Sequence, residues 1–439
     1  MIPEMNCSRI DHHTNFLAPQ TLPVCFLVFC CAFGQSVAQE KKSPAIRHIK
    51  ITDRLPYGLS PVNYSRKDTS DVITTLNRQL ASGKVKLKYR GPNGYLKSVL
   101  KALDVPLESQ LLVFSKTALN QHLVNPQNPR AIYFNDDVYV GWVPGATKLE
   151  ISTTDPLKGT NFYTLFQSPA GKPQFVREES CLACHAGRTT LSVPGHMVRS
   201  FLVRKNGKPV SGYSRITHDS DYHKRWGGWY VTGIHGKLTH SGNVVGEKQN
   251  RNVRDFPGKQ GNVTDLKRFF DVTRYLSPHS DIVAHMVFNH QAHGHNLITR
   301  VNFESRFHRK SDAESQLLRY LLFVDEPKLI APVTGTSAFA KIFPRKGPRD
   351  KQGRSLRDFD LKTRLFKYRL SFLIQTKAFL GLPEDVKTRL YRQLWEILTG
   401  VNRSSDYRHL SNAERLAIRT ILVETQPELP AYWYAGPSN

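Results

Sequence analysis

A chain of 439 residues, 39 % apolar and 10 % aromatic, is long enough to bury a substantial core and too apolar for a disordered polymer. Its 62 Lys and Arg against 36 Asp and Glu give a net charge of +26, which makes nucleic acid, an anionic surface and an acidic protein the partner classes to weigh. Length alone predicts two or three domains, or one core with large additions.

Residues 1–38 read as a secretory signal. Their apolar core, Leu22 to Gly34, is thirteen residues long and too short to cross a bilayer comfortably. Ser36-Val37-Ala38 places small residues at the two positions that a signal peptidase reads, which makes Gln39 the expected mature N-terminus. The segment before the core carries only Arg9 against Glu4 and Asp11, so a downstream start or an uncleaved anchor stays open. Residues 1–38 hold one arginine and two acids, so the remainder has 61 basic residues against 34 acidic ones, a net charge of +27. Export makes nucleic acid an unlikely partner and favours an acidic redox protein or an anionic surface. No later stretch approaches eighteen apolar residues, so no membrane span is expected in the mature chain.

Residues 39–130 are expected to be a helical N-terminal segment. Ser70-Asp71 can open a helix with Val72, Ile73, Leu76 and Leu80 on one face, and Gly83 follows its end. Tyr95, Leu96, Val99, Leu100 and Leu103 make a second amphipathic stretch. These read as packing helices without chemistry. Residues 131–261 change to β periodicity. Ala131–Phe134 and Val138–Val143 flank the turn signal Asn135-Asp136-Asp137. Leu149–Thr153, Phe162–Phe166 and Gln174–Glu178 read as further strands, and Asn206-Gly207 as a hairpin turn. Residues 262–439 return to helix, with starts at Ser280-Asp281, at a capping box Ser311…Glu314, and at Ser411…Glu414. Long helices are expected from about Asp358 to Gly381 and from Pro383 to Thr399. The fold class is therefore α+β: a β-rich core flanked by helical N- and C-terminal segments.

Between two of the predicted strands stands Cys181-Leu182-Ala183-Cys184-His185, the C-x-x-C-H pattern of covalent c-type haem attachment. Two thiols a few residues apart can add across the two vinyl groups of one porphyrin. The histidine that follows places an imidazole under the ring as the proximal iron ligand. The other four cysteines, Cys7, Cys25, Cys30 and Cys31, lie in the signal, so the mature chain keeps only the motif pair. A zinc site would need two further ligands, and a redox dithiol is ordinarily followed by a helix in a βαβ setting. One haem c per chain is the expectation.

Low-spin iron in a carrier takes a sixth ligand, commonly Met or His. His290 and Met286 share a predicted helix face, four residues apart, and His293 extends the stripe. His196, Met197, His279, His285 and His295 are further candidates. His290, Met286 and His196 lead the set. Arg225-Trp226-Gly227-Gly228-Trp229 offers flat apolar surface that could wall a porphyrin, or a glycine bend anchored by aromatics. Six cations in the loop 344–357, Arg345, Lys346, Arg349, Lys351, Arg354 and Arg357, either dock an acidic partner or form a solvated, internally paired loop.

The stretches Arg130-Ala-Ile-Tyr-Phe-Asn-Asp-Asp-Val-Tyr-Val-Gly-Trp142, the haem motif, Arg225-Trp-Gly-Gly-Trp-Tyr-Val-Thr-Gly233 and Phe359-Asp-Leu-Lys-Thr-Arg-Leu-Phe-Lys-Tyr368 resemble those of large exported bacterial proteins that contain a cytochrome c domain. The resemblance implies haem binding and electron transfer, carried to Cys181, Cys184 and His185 alone. The strand–motif–strand layout is also similar to PAS-like c-haem sensor domains. Two function classes follow. One is a periplasmic or envelope-associated electron carrier. The other is a haem-based sensor or ligand binder with an open or exchangeable sixth site. Enzyme chemistry at the haem is the weaker third, because no distal acid–base pair is identifiable.

Overall fold

The computed structural model describes residues 46–66, 71–210, 212–246 and 262–435. The signal segment, residues 1–38, lies outside them. The architecture is α+β, built around a seven-stranded antiparallel sheet. Its strands are β1 (Leu111–Val113), β2 (Arg130–Phe134), β3 (Val138–Trp142), β4 (Lys148–Asp155), β5 (Gly159–Phe166), β6 (Phe175–Arg177) and β7 (Trp229–Tyr230). The spatial order is β7-β1-β2-β3-β4-β5-β6.

Local chemistry sets the central hairpins. Between β2 and β3, Asn135 Oδ1 accepts from the N–H groups of Asp137 and Val138, at 3.0 and 2.8 Å. Between β4 and β5, Asp155 Oδ1 accepts from Leu157 and Lys158 N–H, both at 2.8 Å. Gly159 closes that turn at φ +74°, where a Cβ would lie 2.5 Å from Thr299 Cγ2.

Period-two alternation then gives the sheet two apolar faces. Leu112, Ala131, Tyr133, Val138 and Val140 pack on α1 (Val72–Ala81) and α2 (Leu96–Ala102) through Ile73, Leu76, Leu96 and Val99. Asp71 caps α1 as expected, accepting from Thr74 N–H at 2.9 Å. Leu111, Val113, Ile132, Phe134 and Tyr139 face the other way, onto a long central helix.

That helix spans Ile282–Arg306, and every residue from Ile282 to Glu304 is buried. Asp281 caps it, as the sequence predicts, accepting from Val283 and Ala284 N–H. Its polar side chains satisfy the loops around it. Gln291 Nε2 donates to Asn135 O and to Tyr139 Oη, both at 2.7 Å. His295 Nε2 lies 2.9 Å from Asp136 O, and Asn302 Nδ2 donates to Pro156 O at 2.9 Å. Counting the motif helix Leu182–His185 as α3, the central helix is α4. Helices α5 (Ala313–Leu321), α6 (Glu384–Thr399) and α7 (Asn412–Thr425) share its apolar cluster. Among the described residues no helix is long and apolar enough to cross a membrane.

The first described stretch, 46–66, runs over this layer as a strap. Arg47–His48 pairs in parallel with Arg309–Lys310. Arg300 of α4, fully buried, donates to Asp53 O at 2.5 Å, Lys50 O at 3.1 Å and Leu191 O at 3.2 Å.

The structure corrects several sequence expectations. Residues 39–130 are not helical throughout, because β1 belongs to the sheet. The described residues on both sides of the expected boundaries near 130 and 261 belong to one compact unit. The long helix from Asp358 to Gly381 is absent. Asp360 Oδ1 instead accepts from Lys362, Thr363 and Arg364 N–H, and Leu361 sits at φ +55°. That local ring of acceptor contacts replaces the helical ladder. Only Phe372–Gln375 and Lys377–Leu380 are short helical turns. At α5, Ser311 Oγ accepts from Ala313 N–H at 3.0 Å and donates to Glu304 at 2.7 Å, while Asp312, at the N-cap position, makes no side-chain capping bond. After Met197 only the two-residue strand Arg199–Ser200 forms before the Asn206-Gly207 turn, paired with Ser214–Arg215.

Candidate functional site

On the α4 side, the sheet is hollow. Ile132, Gly141, Glu150 and Thr164 are cross-strand neighbours in one row, and Tyr139, Ser152 and Phe162 form the next. The small side chains in these rows leave a floor, and a cavity of about 490 Å³ stands over it. That is the size of a cofactor site. The cysteines and histidine of the motif, with His196, Met197 and Arg199, line the same space.

Strand β6 delivers the motif to the rim. A 3₁₀ turn, Glu179–Cys181, runs into α3, Leu182–His185. One helical turn separates the two sulfurs, so both face the cavity. Cys184 is exposed and Cys181 half-buried, and they form no disulfide. Burial, with Glu178 and Glu150 nearby, pushes the Cys181 thiol up to about 11.

His185 is held in one tautomer. Its Nδ1 lies 2.9 Å from Gly195 O, an atom that can only accept, so Nδ1 carries the proton. Gly195 N–H returns a bond to His185 O, also at 2.9 Å. Nε2 is thereby left with its lone pair, the form in which an imidazole binds metal. Desolvation pulls the His185 pKa down to about 4, which keeps the ring neutral.

The chain returns to His185 through a tight loop. Leu191 and Ser192 both take left-handed backbone, at φ +59° and +56°. For non-glycine residues this is strained by about 1–3 kcal/mol each, and fixed partners hold it. Ser192 Oγ donates to Thr52 O of the strap at 2.6 Å, and Arg300 holds Leu191 O. Asn296 of α4 then grips the peptide of His196 from both sides. Asn296 Oδ1 accepts from His196 N–H at 2.8 Å, and Asn296 Nδ2 donates to His196 O at 2.7 Å. A Cβ on Gly195 would collide with Asn296 Oδ1.

The cavity has three cations on its walls, Lys116, Arg130 and Arg199, against Glu150. Arg130 pairs with Glu150 at 2.6 Å and lies across Gly141, where no Cβ fits beneath its guanidinium. Trp229 Nε1 holds Arg199 O at 2.9 Å. A haem fits this donor set: two thiols, a neutral imidazole, apolar Ile132, Phe162 and Phe288, and an excess of positive charge for two propionates. Among the described residues no group of three or more His, Cys, Asp or Glu could hold a bare metal ion, and haem iron needs only one or two protein donors.

The other sixth-ligand candidates fall elsewhere. His290 lines no part of the cavity. Its Nδ1 is 2.8 Å from His218 Nδ1 and its Nε2 is 2.6 Å from Ser371 Oγ. Met286 is buried in the apolar cluster of α4. His279, His285, His293 and His295 also lie off the cavity wall. Trp226 and Trp229 do not line it either. Gly227 and Gly228 press against Phe201 O and Ser115, which is the aromatic-anchored glycine bend. Sequence reasoning missed Lys116–Leu119 and Gln121 in the segment read as inert, and the hollow floor. The signal for the floor was present: Gly141, Ser152 and Thr164 break strands that are otherwise bulky.

No protein-family model matches the chain, and neither a curated protein nor a solved structure does.

Proposed function

We propose that the chain is an exported monohaem c-type cytochrome that exchanges electrons with a periplasmic partner. Haem c, attached through Cys181 and Cys184 with His185 on the iron, supplies a one-electron couple. The observation that carries the reading is the fixed tautomer of His185, beside two cysteines that open on the same cofactor-sized cavity. The exposed Cys184 and Leu119 at the cavity mouth support close approach of a partner to the cofactor edge.

An acidic partner suits the basic rim. Arg204, Lys205 and Lys208 are exposed on the turn beside Pro209, which lines the cavity, and form no ion pair among the described residues. The loop 344–357 is a poorer docking face than its composition suggests. Lys346 pairs with Asp104, Arg349 with Asp358, Arg354 with Asp350 and Arg357 with Asp136.

The test is export from a host with c-haem maturation machinery, followed by denaturing gel electrophoresis and haem staining. The wild-type band should stain, and Cys181→Ala with Cys184→Ala should lose at least nine-tenths of the stain. A wild-type chain that never carries covalent haem overturns the reading. Spectra of the reduced protein with carbon monoxide then separate a closed carrier, which is unchanged, from a ligand binder, which forms an adduct.

A further inference from the structure

Resting on that haem, we propose that His196 is the second axial ligand to its iron and that Asn296 is the residue that positions it. His196 shares the cavity wall with Cys181, Cys184 and His185, and is only 6 % exposed. Its Nε2 is buried with no hydrogen-bond partner among the described residues. An imidazole nitrogen left so costs about 1–3 kcal/mol unless something at the site uses it. In the tautomer that leaves this nitrogen unprotonated, a metal is a partner that fits it.

The surroundings hold the ring for that task. Tyr139 packs on it at 4.0 Å between centroids, and Gln291 Nε2 donates to Tyr139 Oη. Asn296 fixes the backbone of His196 from both sides, and the Gly195 peptide just before it is the one bonded to His185. One side chain of α4 therefore governs both histidines. The rivals lack this arrangement. Both ring nitrogens of His290 are engaged elsewhere, and Met286 lies in the core. Met197 lines the cavity, but its thioether needs no partner when buried.

The experiment uses the exported holoprotein, with haem staining on denaturing gels beside optical and electron paramagnetic resonance spectra. Wild-type ferric protein should be low-spin and six-coordinate, with a bis-imidazole near-infrared signature. His196→Ala should become high-spin, bind carbon monoxide when reduced, and return to low-spin on addition of imidazole. Met197→Leu should leave the spectra unchanged. Asn296→Ala should turn part of the haem high-spin without loss of covalent stain, and imidazole should reverse that. If His196→Ala does not accumulate, the wild-type spectrum decides alone: a His–Met signature or a high-spin resting state overturns the assignment. A low-spin His196→Ala protein, or conversion by Met197→Leu, also overturns it. A fully low-spin Asn296→Ala protein removes Asn296 from the positioning role. Absence of haem stain in the wild type overturns the haem itself, whereas stained protein with the wrong spectrum overturns only the ligand.

Discussion

Gly195 does two things that no larger residue could do at once. Its carbonyl accepts the hydrogen bond from His185 Nδ1–H, and its missing side chain admits Asn296. Gly195→Ala should therefore push Asn296 off the His196 peptide, at a cost of about 1–3 kcal/mol. Urea unfolding should show the lower midpoint, and an unchanged midpoint would sink this account of the clamp. The motif residues are legible in the sequence because their chemistry is local: thiols and imidazole must sit within five positions of one another. His196 is not distinguishable from His290 by the same means. Which histidine meets the cavity depends on the left-handed turn at Leu191-Ser192 and on a side chain a hundred residues away. Neither has a signature in the spacing of histidines.

At the scale of elements, α4 is the unusual one. A 25-residue helix buried along nearly its whole length would ordinarily be apolar all round. This one carries four histidines that the fold keeps neutral. Burial pulls His285 and His290 down to about 3, from about 6.5 in the unfolded chain. The unfolded state therefore takes up protons first as the pH falls. Stability is fully present above pH about 6.5 and drains away as pH drops towards 3, by at most about 1.4 kcal/mol per pH unit for each ring. His290→Gln should flatten the fall in urea midpoint between pH 7 and 5 relative to wild type. Equal slopes would show that His290 contributes nothing to acid lability. Helix starts at Asp71, Asp281 and Ser411 are readable because a cap is a short-range device. Residues 358–371 are misread because the periodicity of Phe359, Leu361, Leu365 and Phe366 is helical in spacing. Asp360 captures the backbone N–H groups that a helix would need.

For the whole molecule, the number that matters is how the positive charge is distributed. A net +26 says nothing about location, and the densest run in sequence is largely neutralised by contacts with Asp104, Asp136, Asp350 and Asp358. Arg204, Lys205 and Lys208, beside the cavity-lining Pro209, form no ion pair among the described residues. On the proposed reading, changing Arg204, Lys205 and Lys208 to Glu should slow electron exchange with an acidic redox protein at least tenfold at low salt. The difference should shrink at physiological ionic strength, where the Debye length is about 8 Å. The same reversal at Arg345 and Lys351 should have the smaller effect. A loop variant slower than the rim variant would move the docking face back to 344–357. The α+β class was legible from the change of periodicity along the chain. The sheet takes β1 and β7 from distant stretches, and a single helix packs against both.

The strap at 46–66 imposes a timetable. Its contacts with Ser192 and Arg300 join positions 140 to 250 residues apart, and its strand partner is Arg309–Lys310. Contacts of such separation close the longest loops in the chain, so they form after the hairpins and helices that rely on near neighbours. A chain made from its N-terminus carries this piece idle until residue 310 has followed it out. Throughout that interval Leu191 O lacks Arg300, and the strap lacks its strand partner. This early-made stretch is fastened late, and what it fastens is the turn that leads to His196.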